Sequence, residues 1–117
     1  MFGRILLTVD SLGLIFGAWL ADYNSESHIF NPRWPPHAKF HCGQTIGLST
    51  ALGVATLFLA WRPLLVRSTS PAVARDSLKM AAFTGSVYWL AGLAAILFPG
   101  TDGLDPEFGG LVGSWLG

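Results

Sequence analysis

His37 and His41, four residues apart, are the residues of this chain whose type and spacing best suit chemistry. Pro35 and Pro36 precede them, and proline fits the first turn of a helix but not its interior. The pattern therefore predicts a helix that begins near Pro36 and carries both imidazoles on one face. Gln44 continues that face, and the chain then becomes apolar, so we expect the histidines to lie at the mouth of a membrane helix.

Paired imidazoles allow two kinds of chemistry. Two histidines one helical turn apart suit a zinc ion, with His28 or Asp22 as a third ligand, although the segment lacks the Glu that a zinc protease carries after its first histidine. Without metal, a histidine in the first turn lies at the positive end of the helix dipole, which favours the neutral imidazole. A nearby carboxylate could then orient it as a general base. A structural role, as interfacial residues bonded to loop backbone, stays open.

Polar residues of the preceding loop and of a later turn extend the candidate site. Asp22, where the first apolar segment ends, and Glu107, in an Asp-Pro-Glu turn, are the expected acids or orienting partners. Trp34 could line an apolar substrate or shield a developing cation, while Asn24 is also typical of a turn. The residues expected to position a substrate are His28, Asn24, Trp34 and Gln44.

The composition indicates a membrane protein. Of the 117 residues, 51% are hydrophobic and only 12% are charged, against about 25% charged residues in a typical soluble domain. The formal net charge is zero, which gives no electrostatic basis for nucleic-acid binding. The single cysteine, Cys42, excludes an internal disulfide. Asp10 interrupts the first apolar run, so this run does not resemble a cleaved signal peptide.

Three apolar segments are predicted to span a membrane, at about 30 Å for twenty helical residues. The first runs from Phe2 to Ala21, and the second from about Gly43 to Trp61, with Arg62 and Pro63 ending its helix. The third belongs to a helix that starts near Ala72, becomes apolar after Lys79 and continues to Phe98. Phe108 to Gly117 is apolar but too short, so it is re-entrant, interfacial or a truncated fourth helix. We expect an all-α integral membrane helical bundle, with residues 1–117 as a single transmembrane domain of three full spans plus a short C-terminal segment.

Glycine spacing and one intramembrane carboxylate predict how these helices pack. Gly13 with Gly17, and Gly43 with Gly47, form small-xxx-small pairs that favour close helix contacts. A carboxylate at membrane depth is costly and needs a partner. We expect Asp10 to pair with a basic residue of the third helix, Arg75 or Lys79.

Positive charges orient the chain, because cytoplasmic loops are enriched in Lys and Arg. The basic residues on the side of the N-terminus are Arg4, Arg62, Arg67, Arg75 and Lys79. The opposite side carries only Arg33 and Lys39 and should be non-cytoplasmic. All three histidines and five of the seven carboxylates fall on that opposite side, which favours a site there.

The string from Asp22 to Thr45 follows the pattern N-P-x-W-P-P-H-A-x-F-H-x-G-Q-T over its second half. It resembles a family of small multi-span membrane proteins of fungi and bacteria whose function is unknown, and the Asp-Pro-Glu-Phe-Gly element from Asp105 also fits. The resemblance covers most of the chain and implies a four-helix membrane protein, without a reaction. Cys42 stands where the family pattern has Asn, and the chain ends where a fourth span is expected, which favours oligomerisation.

These observations predict an integral-membrane enzyme that performs non-redox acid–base chemistry on a lipophilic small molecule at the non-cytoplasmic face. The reaction would be isomerisation, cyclisation or epoxide opening, with His37 and His41 as the proton-transfer pair and Asp22 and Glu107 as partners. The alternatives are a non-enzymatic lipid- or sterol-binding membrane module and a zinc-dependent hydrolase.

No cofactor is expected; zinc is the alternative, with His37, His41 and His28 as its ligands. The expected partners are the lipophilic substrate and membrane lipid, without nucleic acid, and a homo-oligomer stays open. The expected location is a multi-pass position in the endoplasmic reticulum membrane of a eukaryote or in the cytoplasmic membrane of a bacterium.

Overall fold

The computed structural model describes residues 1–67 and 69–109, and its regular secondary structure over these ranges is entirely helical. The elements are α1 (Phe2–Ala18), a π-helical turn (Trp19–Tyr23), α2 (Pro36–Leu65), α3 (Pro71–Ala95) and a 3₁₀ turn (Pro106–Phe108). The predicted all-α class and the predicted helix start at Pro36 are confirmed. The predicted C-terminal apolar segment lies, beyond Gly109, outside the described residues.

Two of the long helical segments are long and apolar enough to cross a membrane. They are Phe2–Tyr23, which joins α1 to the π-helical turn, and Pro36–Leu65. The third predicted span, α3, is less apolar and carries Arg75, Asp76 and Lys79 in its first three turns.

Small side chains fill the interior of the bundle, and large apolar side chains cover its outside. α2 is central and packs against both α1 and α3. Its buried positions recur every three or four residues, as one helix face does, at Cys42, Ile46, Ser49, Gly53, Thr56 and Ala60. The other helices add Ser11, Ala18, Ser77, Ala81 and Gly85, with Leu14 as the largest side chain among them.

α1 and α2 approach each other closely at Gly53. A Cβ added there would lie 2.8 Å from the carbonyl oxygen of Ser11 and 2.7 Å from Ile15 Cγ1. The prediction that Gly13, Gly17, Gly43 and Gly47 make the close contacts is wrong, since a Cβ on any of them would meet nothing within 4 Å. Small-xxx-small spacing puts two glycines on one face but does not determine whether that face meets another helix.

Replacing Gly53 with Ala should therefore destabilise the bundle, whereas the same change at Gly47 should not. Overpacking against backbone costs about 1–3 kcal/mol, and an exposed helical Gly→Ala change is neutral or stabilising by up to about 1 kcal/mol. Unfolding of the two variants in detergent, followed by circular dichroism, measures both effects. Equal effects at the two positions would contradict the packing at Gly53.

α2 continues through Pro63 to Leu65, so the prediction that Arg62 and Pro63 end the helix is wrong by two residues. Proline has no N–H, which deprives the carbonyl of Leu59, four residues earlier, of its helical donor. The Ser77 hydroxyl of α3 donates to that carbonyl at 2.9 Å. The proline therefore creates an acceptor on α2 that α3 satisfies, and this hydrogen bond helps to hold the two helices together.

Ser77→Ala should destabilise the protein more in the wild-type background than in a Pro63→Ala background. In the double variant, the N–H of Ala at position 63 can satisfy the Leu59 carbonyl, so the hydroxyl matters less. We expect a coupling free energy of about 1 kcal/mol, the size of a hydrogen bond between membrane helices. A double-mutant cycle on unfolding free energies measures it, and additive effects would show that Ser77 does not compensate for Pro63.

Candidate functional site

The first two turns of α2 bring His37 and His41 into direct contact. Their Nε2 atoms lie 3.1 Å apart, and Nδ1 of His41 lies 3.2 Å from Oε1 of Gln44. A carbonyl oxygen only accepts, so this arrangement places a proton on His41 Nδ1. With neutral rings, His41 Nε2 then accepts from His37 Nε2–H, and His37 Nδ1 keeps a free lone pair. The pair can pass a proton between two imidazoles.

This histidine pair lies on an exposed face of α2. Helical periodicity continues the face of His41 through Thr45, Leu48 and Leu52. These three residues line an apolar groove of about 910 Å³ between α2 and α3, whose other wall includes Tyr88. The imidazoles are therefore about one turn from the end of a groove that suits a lipophilic molecule.

The third histidine, His28, is held between a carboxylate and a hydroxyl. The π-helical turn carries Asp22, whose Oδ1 lies 3.6 Å from His28 Nε2. The other ring nitrogen, Nδ1, lies 2.7 Å from Ser27 Oγ, which is 2.5 Å from Ser25 Oγ. These contacts fix the orientation of the ring, and Asp22 and His28 are both about three-quarters buried at the side chain.

Asp22 also borders an open cavity of about 310 Å³, together with Ser49 of α2 and Tyr88 of α3. Gly13 and Gly17 line the same cavity, so the missing side chains of these glycines open space rather than allow helix contact. The cavity therefore combines apolar walls with a carboxylate and two hydroxyls.

Trp34 anchors the loop between α1 and α2. It packs on a buried cluster of Ala18, Cys42 and Ile46, and its ring meets the edge of His28 with centroids 5.3 Å apart. The burial of Cys42 in this cluster agrees with an inert role for its thiol. The indole N–H of Trp34 points to Asp105 Oδ2, 3.4 Å away, which connects this loop to the segment after α3.

Buried Asn31 shapes the same loop, and its Oδ1 accepts a hydrogen bond from the backbone N–H of Arg33 at 2.9 Å. The Arg33 guanidinium forms an ion pair with Glu107. Arg33, Trp34 and Glu107 border a surface pocket of about 450 Å³. Glu107 therefore lies at the same end of the bundle as Trp34, with an arginine rather than a histidine as its partner.

The structure thus separates the predicted site residues into groups. His37, His41 and Gln44 form one, while Asp22, His28 and Trp34 form a second, to which Glu107 is joined through Arg33. Asn24 is exposed at the end of the π-helical turn. Residues 1–67 and 69–109 contain no group of three or more His, Cys, Asp or Glu side chains able to hold a metal ion, so His28 does not complete a zinc site with the histidine pair.

Several residues of the site escaped prediction from the sequence. Ser27 could have been predicted, because its hydroxyl is adjacent to His28 in the sequence. Arg33 and Tyr88 could not, because they join the site through contacts between distant segments.

The expected pairing of Asp10 with Arg75 or Lys79 is wrong: the carboxylate accepts a hydrogen bond from Trp89 Nε1 at 2.8 Å.

No curated protein and no solved structure matches the chain. One family model, described as a family of unknown function (DUF6640), matches residues 6–112. The matched range includes all three long helices except the first four residues of α1, and it includes every candidate site residue. The chain therefore belongs to this family of unknown function.

Proposed function

We propose that this protein is an integral-membrane enzyme that performs non-redox acid–base chemistry on a lipophilic small molecule. The observation that carries the proposal is the contact between His37 Nε2 and His41 Nε2 at 3.1 Å, about one turn from the apolar groove. One ring can take a proton from the substrate while the other receives or supplies one, which suits isomerisation, cyclisation or epoxide opening. None of these reactions requires an oxidant.

A membrane location is supported by how the side chains are distributed. The bundle presents its large apolar residues outward and buries serine, threonine, glycine and alanine, as expected where lipid is the solvent. We propose three spans, with α3 crossing from its basic end toward the end that carries the candidate site. The compartment would be the endoplasmic reticulum or the bacterial cytoplasmic membrane, with the site on the non-cytoplasmic face.

Cysteine labelling tests this orientation. In a Cys42→Ala background produced in the cytoplasmic membrane of a bacterium, a cysteine at position 26 should react with a membrane-impermeant maleimide from outside intact cells. A cysteine at position 69, in the connection between α2 and α3, should react only after permeabilisation. The positive-inside rule supplies the reason, and the reverse labelling pattern would place the site on the cytoplasmic face.

Asp22 and His28 form a second acid–base pair at the same end of the bundle. Their contact at 3.6 Å and the position of Asp22 on the cavity that it shares with Ser49 and Tyr88 favour a role in orienting or protonating a substrate that reaches this cavity. Tyr88 lines both the groove and the cavity, so it would contact a substrate in either one. Glu107 would act through Arg33, by fixing the loop that holds Trp34.

The groove alone favours the second candidate, a lipid- or sterol-binding membrane module without catalysis. Binding needs only its apolar walls, whereas catalysis needs the imidazoles. A zinc hydrolase has less support, because the described residues provide two adjacent histidines without a third ligand.

The His41→Ala variant distinguishes the acid–base enzyme from the lipid-binding module and the zinc hydrolase. Wild-type protein in nanodiscs is incubated with a total membrane lipid extract, and products with unchanged mass or the added mass of one water are sought by chromatography and mass spectrometry. The variant should lose about 10²–10⁴-fold in rate, the usual contribution of a general acid or base. Its melting temperature and its retention of co-purifying lipid should change little, since both rings are exposed.

His28→Ala serves as the matched variant. Turnover that is lost in His28→Ala but kept in His41→Ala would assign the chemistry to the Asp22–His28 pair. Bound lipid without turnover in the wild type would favour the binding module. Stoichiometric zinc that His41→Ala releases, with inhibition by chelator, would overturn the metal-free mechanism.

A further inference from the structure

The Asp10 carboxylate lies in the middle of the candidate span Phe2–Tyr23, where a charge is costly unless it is neutralised. The ion pairs among the described residues are His28–Asp22 and Arg33–Glu107, and neither includes Asp10. The one basic residue of α1, Arg4, instead donates through Nε to the carbonyl of Ala60 at 3.0 Å.

The geometry of α3 explains why its basic residues do not reach Asp10. The carboxylate lies against Gly85, where an added Cβ would be 2.6 Å from Oδ2. Lys79 precedes Gly85 by six residues, which is about 9 Å along the axis and roughly two-thirds of a turn around it. Arg75 is four residues farther away. The carboxylate is therefore placed against α3 without a cation from that helix.

The two carboxylate oxygens have different surroundings. Oδ1 accepts the indole N–H of Trp89 at 2.8 Å, which is the one side-chain hydrogen bond that the described residues give Asp10. Oδ2 occupies the space that a side chain on Gly85 would fill. Asp10 borders a crevice of about 290 Å³ between α1 and α3, with apolar walls that include Leu6, Leu7 and Leu90.

We propose that this crevice binds the protonated amine of a small lipophilic molecule. The ammonium N–H would donate to Asp10, and its positive charge would offset the carboxylate charge. The apolar body would lie along the leucines, and the Trp89 ring would add a cation–π contact. The site is separate from the histidine pair and does not depend on the proposed reaction.

The test uses the full chain in nanodiscs and a pair of probes of the same shape. N,N-dimethyl-2-phenylethylamine is protonated at neutral pH, and 3-methylbutylbenzene replaces its nitrogen by carbon. The Trp89 indole ¹H–¹⁵N signal, assigned with Trp89→Phe, reports occupancy. The amine should shift this signal at concentrations about tenfold or more below those of the neutral probe.

Variants test whether Asp10 binds the amine or has only a structural role. Asp10→Asn keeps an oxygen for the Trp89 indole but removes the charge, so the preference for the amine should disappear while the indole hydrogen bond remains. Gly85→Ala should also weaken amine binding by displacing Oδ2. Asp76→Asn, an exposed charge removal on α3, should leave the preference unchanged.

Equal responses to the two probes in the wild type would overturn the proposal, and this comparison requires no variant to fold. A preference for the amine that persists in Asp10→Asn would also overturn it, because the selectivity would then come from the bilayer or from another group.

Discussion

The backbone contact between α1 and α2 at Gly53 is the constraint on which the other contacts of the bundle depend. With no side chain at Gly53, α2 lies against the Ser11 carbonyl, and this proximity lets the Ser49 hydroxyl donate to the carbonyl of Leu14 at 2.7 Å. Helices surrounded by lipid gain little from the hydrophobic effect and associate through such close packing and hydroxyl bonds. Three residues after Gly53, along the same buried face of α2, Thr56 extends the pattern to α3 by bonding Thr84 at 2.8 Å.

The two acid–base pairs depend on this bundle to different degrees. The spacing of four residues on one helix is sufficient to bring His37 and His41 together, so α2 alone can maintain their contact. The contact of Asp22 with His28 instead requires the π-helical turn and a loop that Trp34 anchors on Ala18, Cys42 and Ile46. Loosening the loop would therefore disturb Asp22 and His28 long before it disturbed the histidine pair.

Local rules account for what the sequence predicted well. Proline geometry placed the start of α2 at Pro36, and helical periodicity put His37 and His41 on one face. The errors concern contacts between segments. Glycine spacing favoured Gly47, which follows Gly43 by one turn, and only the position of α1 decides that Gly53 makes the contact instead. Pro63 predicts a helix end because the Ser77 hydroxyl that replaces its missing N–H as a donor comes from α3, a distant segment. The pairing of Glu107 with Arg33 likewise could not be predicted without the fold.

Trp89 connects the Asp10 carboxylate to the spaces where a substrate could lie. Its indole borders the α2–α3 groove, the crevice at Asp10 and the cavity at Asp22. The hydrogen bond to Asp10 restrains that ring, and the neighbouring Tyr88 lines both the groove and the cavity. Any group that competes with the indole for Asp10 would therefore free a wall shared by all three spaces. The carboxylate in the middle of α1 thus restrains an indole that borders all three spaces.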